Sequence, residues 1–164
     1  VTGVVSFARY WLPVAIWMVV IFSASGDAFS VQHTSRILGP IIHWLLPGLP
    51  QEKADVIILC IRKCAHAVEF GVLALLLWRA VVKPSRTNKP TWRWADARVA
   101  FLVTCVYAVS DELHQRFVAT RQGAVRDVLF DIAGAASALL LLWFFGFGAW
   151  RRVQRDEQNA EGAG

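Results

Sequence analysis

The chain has 164 residues, 56% of them hydrophobic and 18% charged, with a mean hydropathy of +0.46. Soluble domains carry about 45–50% apolar and about 25% charged residues, so this balance excludes a disordered segment, a nucleic-acid-binding arm and an ordinary soluble enzyme, and points to a membrane. The net charge of +5 resides largely in connecting segments, which suits topology and anionic headgroups rather than nucleic acid as a partner.

The first apolar stretch covers residues 7–23 and contains Pro13, which a membrane helix tolerates. A single basic residue before its apolar run, Arg9, and the weak cleavage sequence Ser23-Ala24-Ser25-Gly26 read as a retained helix rather than a signal peptide. Between residues 24 and 55, Gly39-Pro40, Pro47-Gly48 and Pro50 punctuate the chain. Ile37, Leu38, Ile41, Ile42, Leu45 and Leu46 still recur at helical spacing, which predicts a short amphipathic segment lying in the interface with Trp44 as anchor. Three further stretches, 56–82, 98–118 and 125–147, are long enough to cross about 30 Å of hydrocarbon at about 1.5 Å per residue. The expectation is an all-α polytopic membrane protein: one domain over residues 1–150 with about four transmembrane helices, followed by a polar cytoplasmic tail at 151–164.

The larger share of Lys and Arg falls on one side of such a bundle, in Arg9, the 79–98 connection and the tail. The positive-inside rule then puts both termini in the cytoplasm and the loops 24–55 and 119–124 outside. The three cysteines, Cys60, Cys64 and Cys105, lie in apolar runs and read as free packing thiols. The motifs of soluble enzymes (GxSxG, the P-loop, GxGxxG, CxxC) are missing.

Ionisable side chains inside the spans are the informative feature, because each costs about 2.5–3.5 kcal/mol at a helix centre and so turns toward a bundle interior or a wet cavity. Arg62, Lys63, His66 and Glu69 share a face of about 120° on the second span. On the third, Tyr107, Asp111, His114 and Gln115 share about 80°, and Glu112 falls to the side. On the fourth, Asp127 and Asp131 lead into Gly134 and Ala138, small residues that admit a close neighbour. Helical rise puts His66 and Asp111 at one depth, about 10 Å below the outer edge, with Asp127 and Asp131 at the same side. The pattern predicts one polar cavity opening outward. The structural alternative is a set of buried ion pairs holding helices together.

Lys63-x-x-His66-x-x-Glu69-Phe70 resembles the first motif of the VanZ-like family. Asp111-Glu112-x-His114-Gln115-x-Phe117-x-x-x-Arg121, then Arg126-Asp127-x-x-x-Asp131-x-x-Gly134, resembles its second, with Ala119-Thr120 where the family has Pro-Gly before the arginine. The resemblance implies a small membrane protein of the bacterial cell envelope, linked through the founding member to resistance to the glycopeptide antibiotic teicoplanin.

Three functions fit these residues. As a binding module, Lys63 and Arg121 would take the phosphate of an envelope lipid or cell-wall precursor, lined by Glu69, Tyr107, Gln115, Asp127 and Asp131. As an intramembrane enzyme, Asp111 or Glu112 would be the general base and His66 or His114 the acid. A metal-assisted variant could draw on His66, Glu69, Asp111, His114 and Asp127, but no ligand spacing supports it, and neither a metal nor another cofactor is expected. A proton-coupled transporter would need a path that four unequal helices lack, unless a homodimer supplies it.

Overall fold

The computed structural model describes residues 2–26, 31–84, 91–117 and 125–148, and every regular element among them is helical. α1 spans Thr2–Ala24, α2 Val31–Leu45, α3 Gln51–Val82, α4 Trp94–Arg116 and α5 Val125–Leu141, with a π-helical continuation over Leu142–Gly148. Arg121, residues 119–124 and the tail at 151–164 lie outside the described residues.

Local chemistry sets the ends of α3. The carbonyl of Pro50 accepts the amides of Lys53 and Ala54 at 3.0 and 3.2 Å, and Glu52 sits in the first turn, where the helix dipole favours an acid. At the other end Lys83 adopts the left-handed conformation (φ 50°, ψ 58°) and donates its amide to the Arg79 carbonyl at 3.0 Å, and Pro84 follows as a stop.

The predicted amphipathic segment around residues 37–46 falls in α2, which runs through Pro40 even though that proline forgoes one backbone hydrogen bond. At 15 residues α2 remains too short to span. The third span starts at Trp94 rather than 98, and α3 starts at Gln51 rather than 56, because polar first turns extend a helix without altering its apolar pattern.

α3 is the central element and packs against α1, α2, α4 and α5. Tyr10 reaches Pro84 and Trp17 reaches Glu69, so α1 runs antiparallel to α3. Lys63 meets Asp127 and Trp78 meets Phe147, so α5 runs parallel to α3. The core is built from Tyr10, Val14 and Ile21 of α1, Phe70, Leu73 and Leu77 of α3, alanines of α4, and Ala135 and Leu139 of α5. α2 docks separately, Ile42 packing on Ala54 and Ile58.

The closest approach is between α3 and α5. A Cβ built on Gly134 would stand 2.0 Å from the carbonyl oxygen of Ala67, and one on Gly71 would stand 3.2 Å from the Ala138 Cβ. Ala67-x-x-x-Gly71 therefore interlocks with Gly134-x-x-x-Ala138, the small-residue arrangement by which membrane helices bring their backbones together.

The outside of the bundle is apolar. Val19, Leu102, Val106, Leu129 and Phe145 are among many large hydrophobic residues more than half exposed, as are Ile37 and Trp44 on the outer face of α2. Two helical segments, Phe7–Ala24 and Arg126–Phe147, are long and apolar enough to cross a bilayer, and only 17% of each is buried. A core helix of a soluble protein would be mostly buried; helices that turn this much apolar surface outward are suited to lipid. Two of the four expected spans stand on this criterion.

Candidate functional site

The bundle has two unlike ends. At one end the C-terminal turns of α1 and α4, the first half of α3 and the start of α5 bring polar side chains together. At the other, Trp78, Trp92, Trp94, Trp143 and Phe147 form a continuous aromatic cluster with ring centroids 5.3–5.9 Å apart.

The polar end is organised around three carboxyl groups that are almost fully buried: Asp111 (3% exposed), Glu112 (5%) and Asp131 (4%). Asp131 lies within electrostatic reach of Asp111, Asp127, Glu112 and Glu69, so α3, α4 and α5 direct acidic side chains to one region. Burying a carboxylate without compensation is costly, and the layer supplies specific partners. Asp111 Oδ2 accepts from Ser25 Oγ at 2.7 Å and from Gln115 Nε2 at 2.9 Å. No hydrogen-bond donor reaches Asp111 Oδ1 among the described residues. Lys63 Nζ bonds Asp127 Oδ1 at 2.5 Å and lies 4.7 Å from the centroid of the Phe130 ring. His66 Nδ1 approaches Glu69 Oε2 at 3.3 Å, one helical turn along α3.

The face of α4 that carries Tyr107, Asp111, His114 and Gln115 turns largely toward α1. Tyr107 donates its hydroxyl to the Met18 carbonyl at 2.6 Å, and the His114 ring stacks on Phe22 with centroids 4.2 Å apart. Glu112 is a correction to the sequence reading. It was expected off to the side of the polar face, yet it is buried, because the line Ala97, Ala100, Thr104, Ala108 and Glu112 is the face α4 sinks into the bundle. Asp111 and Glu112, adjacent in the chain, are both buried, so the inner sector of α4 is wider than the predicted polar face.

Ser25 is the polar residue the sequence did not single out. It is wholly buried, just past the end of α1, and links α1 to Asp111. Its signal was slight: a small hydroxyl residue following an apolar helix, which alone resembles any loop serine. Among the described residues, no three His, Cys, Asp or Glu side chains are grouped so as to hold a metal ion. A recess of about 390 Å³ lies against Leu49, Glu52, Lys53, Val56 and Ile57 at the start of α3. Lys53 lies about 15 Å along the helix from Lys63, so this recess is not the polar layer.

The Lys63–Asp127 pair is about one-third exposed on both sides, between the surface case, where an ion pair is worth little, and the buried case, where breaking one is costly. Lys63→Met should therefore cost about 1–2 kcal/mol, and Lys63→Met combined with Asp127→Leu distinctly less than the sum of the two single changes. A double-mutant cycle of unfolding in SDS measures the coupling; strict additivity would show that the pair contributes nothing.

The VanZ/LLP1 family model matches residues 10–146, most of the chain and all of the polar layer. The chain belongs to the VanZ/LLP1 family. No curated protein and no solved structure matches it. The VanZ-like resemblance carried by Lys63-x-x-His66-x-x-Glu69 and by the Asp111–Gly134 segment is thus shown at family level, and both motifs fall inside the match. In this VanZ/LLP1 chain the two motifs meet in space: Lys63 and Glu69 come from the first, and Asp111, Asp127 and Asp131 from the second.

Proposed function

We propose that this VanZ/LLP1 protein is a multi-pass protein of the bacterial inner membrane and that its polar layer recognises the head of an envelope lipid or lipid-linked cell-wall precursor. In this reading α1, α3, α4 and α5 all span, residues 1–150 form one transmembrane domain, and both termini are cytoplasmic. The alternating directions of the four helices support it, as does the basic aromatic end, where Arg9, Arg79, Lys83 and Arg93 gather, which the positive-inside rule assigns to the cytoplasm. The polar layer then faces outward.

The observation that carries the reading is the convergence of acidic side chains from three helices on Asp131, with Lys63 at the edge of the same layer. A head that bears both an ammonium and a phosphate matches that distribution: the carboxylates take the ammonium, and Lys63 with Arg121 takes the phosphate, lysine as a point charge and arginine as a planar fork. Glu69, Tyr107, Gln115, Asp127 and Asp131 line or brace the site, and Asp111, Glu112, His66 and His114 are its polar walls. Through this recognition the protein would take part in the teicoplanin response that the family resemblance implies.

The test is binding of lipid-linked cell-wall precursor and of phosphatidylethanolamine to the full chain in nanodiscs. Loss of one partner of a buried charged contact costs about 2–5 kcal/mol, so Asp131→Asn and Arg121→Ala should each weaken binding at least about tenfold. Equal binding by the wild type and both variants would remove the proposal.

A further inference from the structure

The end of the bundle opposite the polar layer carries a second charged feature, of the opposite sign. Arg9 on α1 and Arg79 on α3 both place their guanidinium groups against the ring of Tyr10, 5.8 and 5.1 Å from its centroid. Arg79 Nη1 also reaches toward the Arg9 carbonyl at 3.5 Å. Two like charges are held over one aromatic floor, and that floor is rigid. Tyr10 is 5% exposed and its hydroxyl is tied to the Pro84 carbonyl at 2.5 Å. Among the described residues, no acidic side chain pairs with Arg9, Arg79 or Lys83.

Lys83 adds a separate observation. It holds a left-handed backbone conformation, φ 50°, at the position after a helix where glycine is the favoured residue. Glycine would relieve that conformation, and the helix dipole already has Arg79 in the last turn. Lys83 lies one helical turn after Arg79, so three basic residues stand at this end of α1 and α3, and among the described residues none of them has an acidic partner.

The level of this cluster argues for the source of that anion. Trp78 directly precedes Arg79, stacks on Trp92 at 5.9 Å, and is continued by Trp94 and Trp143. Tryptophan gathers at the depth of lipid headgroups, so the arginines stand where phosphodiesters lie. We infer that Arg9, Arg79 and Lys83, on the floor of Tyr10, form a binding site for the phosphodiester head of an anionic phospholipid at the groove between α1 and α3. Each basic residue near an anionic lipid surface adds to the attraction, and a preformed site spends little of that on ordering. The site shares no residue with the polar layer and stands independently of what that layer binds.

The experiment uses the full chain in nanodiscs of phosphatidylcholine doped with phosphatidylglycerol, with the lipids retained after detergent exchange counted by native mass spectrometry. The wild type should retain phosphatidylglycerol over phosphatidylcholine by about tenfold, and an Arg9→Gln, Arg79→Gln double variant should fall close to parity. Lys83→Gly keeps the turn and removes the charge. It should melt no lower than the wild type and lose part of the preference, so it carries the test alone if the double variant fails to fold. Unchanged preference in the folded variants would overturn the site. Displacement of the retained lipid by inorganic phosphate would overturn the lipid assignment and leave a free-anion site.

Discussion

Replacing Gly134 with alanine is expected to cost about 3 kcal/mol, the upper end of ordinary overpacking. The new methyl carbon would lie 2.0 Å from the Ala67 carbonyl oxygen, 2.6 Å from its carbonyl carbon and 2.7 Å from its Cα. All three are backbone atoms in the middle of α3, so no rotamer change relieves the clash; the helices must part. Separation would also pull Lys63 from Asp127, which lies on the same interface. Gly71→Ala gives the internal contrast, because its nearest neighbours stand at 3.2 Å and one of them is the Ala138 methyl. Its cost should stay near 1 kcal/mol. Unfolding in SDS, followed by tryptophan fluorescence, measures both. Equal stability of Gly134→Ala and wild type would mean that α3 and α5 do not meet at this point.

Ser25→Ala is expected to cost about 2 kcal/mol, because it removes a hydrogen bond to a buried carboxyl group. Asp111 is 3% exposed and, among the described residues, only its Oδ2 is satisfied, by Ser25 and Gln115. Gln115 also points its amide at Ser25 Oγ, 3.4 Å away, so the serine holds two members of the network. Ser23→Ala is the control: its hydroxyl caps an exposed carbonyl of its own helix, that of Val19, and its removal should change stability by less than about 0.5 kcal/mol. The same SDS titration distinguishes them. Combining Ser25→Ala with Asp111→Asn should recover part of the loss, since an amide can donate where the carboxylate only accepts. If the two substitutions add independently, Ser25 does not act through Asp111.

Several features were legible in the sequence because they depend only on composition and helical spacing. The apolar runs give all-helical architecture, and the grouping of Lys63, His66 and Glu69 on α3 follows from spacings of three. The stripe of Gly134 and Ala138 pointed correctly to a close helix contact. The alternation of helix direction, with both polar motifs at one end, also follows from chain order once the helices are counted. Pro40 costs a helix about 3 kcal/mol, yet the helical spacing of apolar residues on both sides of it was legible, and that face packs Ile42 on α3.

What the sequence by itself determined is which residues share a face of each helix, since side-chain direction along a helix is fixed by 3.6 residues per turn. It could not say which of those faces meets which neighbour. That is why Glu112 looked peripheral and lies buried, and why Ser25 passed unnoticed. The rotation of each helix about its own axis is set by contacts between segments far apart in the chain, and above all by the backbone contact of Gly134 with Ala67. Only the tertiary structure decides that rotation, because it depends on how well two surfaces fit and not on the spacing within either one.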